Sequence, residues 1–286
     1  GGAGGERKGG ERGGTRGASW GARRGGGTPE QCFLGHRGGD SGAGKTVGTQ
    51  CARSVWGDPT RLLRTFDSTA VGMERYAAFF HSLPYGIDDL QTLNTKFMPT
   101  DQLVMKLSAG TGKTRGTKGG GIDKPTEWRL IFLTTGEEPL TKSNSQGGAK
   151  NRSIELYIGV NDYPSSIDPR QLVTVALDNY GHAGRKYIDG IMEFMDGKKA
   201  AIKELWTDLG NALQDSNYTQ KHLSNVATLA LGDMLGSMFV FGLGEKQARM
   251  EAITMGLSVI ERLESNAEID PIRRAWDYIR GWISSH

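Results

Sequence analysis

Cysteine is nearly absent, with only Cys32 and Cys51 in 286 residues. Two thiols form no spaced metal pattern, so free thiols in a reducing compartment are expected. Long apolar runs are also missing. No stretch approaches the roughly 20 residues that a bilayer-spanning helix needs, and the first residues hold no apolar secretory core. The chain therefore reads as soluble and cytoplasmic, with no membrane partner. Apolar residues make up only 36%, partly because 43 residues are glycine. A one-sided charge is missing too: 35 Lys and Arg against 32 Asp and Glu leave a net +3. Global charge thus does not announce a nucleic-acid binder, and any basic surface must be local. The length is ample for a buried core, in one large or two small domains.

What the chain does have is Gly39-Asp40-Ser41-Gly42-Ala43-Gly44-Lys45-Thr46, a complete G-x-x-x-x-G-K-[ST] phosphate-binding loop. Its glycines let main-chain N–H groups turn inward as an anion nest. Lys45 is expected to reach the β- and γ-phosphates of ATP, and the Thr46 hydroxyl to hold Mg2+. A helix-compatible stretch from Val47 to Trp56 follows and stops at Gly57-Asp58-Pro59. Such a helix points its positive end at the phosphates.

The organisation around the loop is uneven. Residues 1–31 are mainly Gly and Arg, with Trp20 the only aromatic. A segment of this kind cannot repay its ordering entropy and reads as a disordered tail, with a nucleic-acid grip as the other reading. The strand feeding the loop looks short, Cys32-Phe33-Leu34 followed by Gly35-His36-Arg37-Gly38. Either it is truncated, or part of the chain start is missing. Apolar spacing predicts a helix over 69–80, a short strand at Leu83–Asp89 and a helix over 100–107. Strands follow at Trp128–Gly136 and Ser153–Val160. Interleaved helices and strands argue for an α/β fold with a largely parallel sheet over 32–186. From about 187 the pattern is helical, with helices over 222–240, 245–263 and 271–283. The chain ends straight after the last of these, as if a further domain followed.

Phosphoryl transfer needs positioning and charge neutralisation more than covalent help. Ile87-Asp88-Asp89 supplies acids at a strand end some forty residues after the loop. Asp88 is placed in the Mg2+ shell and Asp89 beside the attacking water; as a bare pair, two acids could equally cap a helix. Thr134 and Thr135 end the next strand, at the edge where ligands bind in open α/β sheets. Thr135 is taken as the residue beside the γ-phosphate. Residues 109–114 mimic a second phosphate loop, but Leu107 stands in place of its first glycine. Lys106, Lys113, Arg115, Lys118 and Lys124 make this a basic loop instead. Lys113, Arg115 and Lys118 are the nucleic-acid candidates, with a plain solvated loop as the alternative. Arg152 is a candidate arginine finger for a neighbouring copy's nucleotide. His182, in Tyr180-Gly181-His182-Ala183-Gly184, is read as structural.

The ordered set of motifs resembles the DUF927 family. It runs from Gly39–Thr46 through Ser54–Pro59, Ser68-Thr69-Ala70, Leu83–Gln91 and Gly110–Arg115 to Trp128-Arg129-Leu130, Thr134–Glu137 and Tyr180–Gly184. Members are described as P-loop ATPases of phages and mobile elements, as superfamily II helicases or inactivated derivatives, and as primase-helicase proteins. The resemblance implies a RecA/AAA-like P-loop NTPase core, with Lys45 and Thr46 on nucleotide and metal, Asp88 on metal, and Asp89 as the catalytic acid where the family usually has Glu. A shorter acid implies slower hydrolysis, since misplacement by about 1 Å can cost about a hundredfold. The functional expectation is an ATP-dependent helicase ring moving on single-stranded DNA with other replication proteins. The alternatives are an ATP-binding switch or loader, or an inactive structural derivative.

Overall fold

The computed structural model describes residues 32–39, 42–96, 98–116, 119–159, 168–196 and 200–263, with helical positions at 275–276, 279–280 and 282–283. The tail at 1–31 and most of the helix expected over 271–283 lie outside the described residues. The chain enters through β1 (Phe33–Gly38), passes the phosphate loop and continues into α1 (Lys45–Ser54). Next come β2 (Leu63–Thr65), α2 (Ala70–Phe80), β3 (Tyr85–Asp88), a 3-10 turn at Leu90–Thr92 and α3 (Thr100–Leu107). The hairpin of β4 (Arg115–Gly116) and β5 (Ile122–Asp123) leads to β6 (Ile131–Thr135), α4 (Gly147–Lys150) and β7 (Ser153–Tyr157). The helical part holds α5 (Pro169–Asp178), α6 (His182–Met195), α7 (Ala201–Ala212), α8 (Gln220–Phe239) and α9 (Glu245–Ile260).

Five strands form one parallel sheet in the order β2-β3-β6-β1-β7. The expected mostly parallel α/β core is therefore present. Register carries the functional consequence: Ile87 lies beside Thr134, and Arg37 beside Thr135. The carboxyl ends of β1, β3 and β6 are thereby level, and all three open onto the phosphate loop.

The sheet is covered on both faces, as parallel sheets require. Phe33 packs into a cluster with Ile154 and residues of α7, α8 and α9, including Leu209, Val226 and Met234. Its neighbour Leu34 points the other way, into a cluster with Met73, Tyr85, Ile87, Leu103, Trp128 and Phe132. Leu103, Val104 and Leu107 form the buried stripe of α3, and burying each such side chain contributes roughly 1.5–3 kcal/mol. Helix starts are set by side-chain caps: Thr69 accepts from the Gly72 N–H at α2, and Thr219 from the His222 N–H at α8.

The short, feeble entry strand expected from Cys32-Phe33-Leu34 is not what forms. β1 runs six residues and lies inside the sheet, between β6 and β7. Its polar half is stabilised from afar. The buried His36 ring bonds Thr134 Oγ1 through Nδ1 (2.9 Å) and the Glu138 carbonyl through Nε2 (3.0 Å). Burial pushes the His36 imidazole down to about 4, so the ring is neutral. The segment around 109–130 also departs from a plain mobile loop: it forms the β4–β5 hairpin and a bridge between Thr111 and Glu127.

Candidate nucleotide site

α1 begins at Lys45, so the loop ends where a helix dipole starts. Gly44 precedes it at φ 70° and Gly42 sits at φ 83°, left-handed values that β-carbon-bearing residues resist. Asp40 and Ser41 lie outside the described residues; Ala43 is buried. Lys45 Nζ donates to the Gly39 carbonyl at 2.6 Å, which draws the side chain back along the loop.

Across from the loop, Thr46 Oγ1 donates to Asp88 Oδ2 at 3.3 Å. The other oxygen of Asp88 accepts a short bond from Thr135 Oγ1. The Asp89 main-chain N–H donates to the same Thr135 hydroxyl at 3.1 Å. Asp89 itself stands at φ 62°, unusual for a residue with a β-carbon. Such strain persists where surrounding contacts fix it; here the Thr135 bond and the 3-10 turn do so. Helix α1, strand β3 and strand β6 thus bring Thr46, Asp88 and Thr135 into one bonded chain. They line a cavity of about 520 Å3 together with Gly44, Lys45 and Asp89.

These residues fit the group the motif implies. A threonine hydroxyl and a carboxylate are hard oxygen donors, and Mg2+ is commonly held by one or two carboxylates plus phosphate oxygens rather than by an all-protein cage. Among the described residues no cluster of three or more His, Cys, Asp or Glu is arranged for a metal.

Other candidates stand elsewhere. Arg152 precedes β7, at the opposite end of the strands from the loop, and its Nη1 donates to the Gly148 carbonyl at 2.8 Å. Arg115 is not poised for a phosphate backbone: its Nη2 lies 2.6 Å from Oε2 of the buried Glu74, whose Oε1 is 3.4 Å from Lys106 Nζ. Burial alone would raise the Glu74 carboxyl, but the bond and charge of Arg115, with Lys106, hold it below its usual range. Lys106 and Arg115 therefore neutralise a buried acid within the chain. Lys113 is exposed on the same segment, and Lys118 lies outside the described residues.

Sequence reasoning missed Arg53, His36 and Gln91. Arg53 is buried on α1 over β3, where a β-carbon at Gly86 would fall 1.8 Å from its Nη2. None of its three nitrogens has a hydrogen-bond partner. Burial lowers the guanidinium to about 10, while the Asp88 charge pulls it back up. Its position two helical turns beyond Lys45 was the available signal. His36 and Gln91 gave none: both partners of His36 are about a hundred residues away, and Gln91 links its neighbour Asp89 to the distant Glu137.

A parallel sheet with a phosphate loop after β1 and an acid-tipped β3 defines a P-loop-type α/β core. The family model for DUF927, a domain of unknown function, matches residues 27–128 of the chain. No curated protein sequence matches the chain. A solved structure described as "SCCmec type IV Cch - active helicase" has a similar fold, with a TM-score of 0.64 at 16% identity. The likeness covers 88% of this chain and 46% of that one, so the chain spans less than half of that helicase. Among the described residues no helix is long and apolar enough to cross a membrane.

Proposed function

We propose that the chain binds Mg2+–ATP at the Gly39–Thr46 loop and hydrolyses it as a DNA motor of helicase type, in a phage or other mobile element. The observation that carries this reading is the Thr46–Asp88 contact at 3.3 Å, with Thr135 on the far oxygen of Asp88. Loop N–H groups and Lys45 would cradle the phosphates, Lys45 leaving the Gly39 carbonyl to do so. Thr46 and Asp88 would hold the cation, which neutralises charge on the phosphate oxygens. Asp89 would orient the attacking water, and Thr135 would fix both acids relative to the γ-phosphate.

DNA contact is assigned to Lys113 and Lys118; Arg115 would join them only by leaving Glu74. In a ring of identical subunits Arg152 would act on a neighbouring copy's nucleotide, since it stands away from its own. The solved helicase of similar fold supports the motor reading over other P-loop activities. A second reading, an ATP-binding switch or loader, is favoured by one residue: Asp89 is a short acid on a strained backbone position.

The test is ATP turnover with and without single-stranded DNA at two salt concentrations. The motor reading expects DNA-stimulated turnover that weakens with salt and is lost in Lys45→Ala. Stimulated hydrolysis that survives Lys45→Ala refutes it. ATP binding without stimulated turnover favours the switch.

A further inference from the structure

We infer that Gln91 is a positioning residue for the Asp89 carboxylate, coupling it to the turn that leaves β6. The inference rests on the ATPase reading above and deepens it. In the amide orientation that satisfies both neighbours, Gln91 Nε2 donates to Asp89 Oδ1 at 2.6 Å and its Oε1 accepts from the Glu137 main-chain N–H at 2.5 Å. Asp89 in turn donates its N–H to Thr135, two residues before Glu137. The bonds close a circuit: Thr135 to Asp89, Asp89 to Gln91, Gln91 to Glu137, and back along the chain to Thr135.

The turn is shaped to make this circuit. A β-carbon at Gly136 would fall 2.8 Å from Leu90 Cβ and 3.2 Å from the His36 ring. Glycine there lets the turn press against Leu90, which brings the Glu137 N–H within reach of Gln91. On the other side His36 Nε2 holds the Glu138 carbonyl. The end of β6 is thus gripped by both β1 and the 3-10 turn.

The circuit has a chemical consequence. Asp89 Oδ1 is bound by the amide, and among the described residues nothing donates to Oδ2. One oxygen is held and the other is left to accept a proton or a hydrogen bond at the cavity. For an acid one methylene shorter than Glu, a fixed direction matters more, because reach cannot be recovered by rotation. Gln91 is exposed, so its bonds serve orientation more than core packing.

The test compares Gln91→Ala, Gln91→Glu and Lys45→Ala with the wild-type chain, measuring ATP turnover and the affinity for a fluorescent ATP analogue. Thermal melts confirm that each variant is folded. For Gln91→Ala the expectation is a kcat lower by about tenfold or more, with affinity within about twofold, as for a lost orientation of a reacting group. Gln91→Glu keeps the side-chain length but offers Asp89 no N–H donor, so its kcat is expected to fall as in Gln91→Ala, again with affinity within about twofold. A purely structural glutamine would not split kcat from affinity in this way. A kcat within about threefold of wild type in either variant, or an equal loss of affinity, overturns the inference while the ATPase reading stands. A wild-type chain that neither binds nor hydrolyses ATP overturns both.

Discussion

His36 offers the most quantitative prediction, because one buried ring ties β1 to β6 and to the turn beside the site. In the folded chain its pKa is pushed to about 4 by burial, against 6.5 for an ordinary histidine. Between those values the unfolded chain takes up a proton that the folded chain refuses. Stability therefore falls as pH drops through this window, is unaffected by the ring above it, and stops falling below it. At 1.36 kcal/mol per unit, a separation of about 2.5 units corresponds to about 3 kcal/mol. Carboxylates also titrate in this range, so the wild-type curve alone is not diagnostic. Urea unfolding of wild type and His36→Gln at a series of pH values isolates the ring, since the other groups are common to both. The stability difference between the two proteins should be constant above about pH 7 and shrink by about 3 kcal/mol by pH 4. A difference that stays constant to within about 0.5 kcal/mol over that range would refute a buried neutral His36.

Gly184 tests packing against propensity. Alanine in a helix is favoured over glycine by about 1 kcal/mol, but a β-carbon at Gly184 would lie 2.4 Å from the Val55 carbonyl and 2.8 Å from Trp56. Main chain cannot step aside as a flexible tip can, so Gly184→Ala should destabilise by about 1–3 kcal/mol; a raised melting temperature contradicts this. Trp128 Nε1 donates to the Leu107 carbonyl at 2.9 Å in the core. Trp128→Phe should cost at least about 1–3 kcal/mol in urea unfolding from the stranded carbonyl alone, and a neutral result speaks against that bond. Lys113→Ala should weaken single-stranded DNA binding and reduce the slope of log affinity against log salt by about 0.7; an unchanged slope removes Lys113 from the interface.

Local pattern made part of this molecule legible. Glycine spacing marks the phosphate loop whatever surrounds it, and apolar periodicity finds α2, α3, α8 and α9 to within a few residues. β1 is hard to read locally because Gly35-His36-Arg37-Gly38 has loop-like composition. Its strand state depends on His36 meeting Thr134 and Glu138 about a hundred residues later. The proximity of Asp88 to Thr46 was expected from motif order, and the fold brings them together. The Arg115 ion pair is equally hidden from local pattern: Glu74, its partner, is 41 residues away and buried in α2. Gln91 sits beside the acid pair in sequence, yet only the close approach permitted by Gly136 gives it a partner.

Equilibrium titration of ATP with and without Mg2+, for the wild-type chain and Asp88→Asn, bears most directly on the central claim. If Thr46 and Asp88 share the cation, Mg2+ should tighten ATP binding to the wild type by about tenfold or more, and Asp88→Asn should lose most of that gain. Identical Mg2+ dependence in the two proteins would contradict a cation held between α1 and β3.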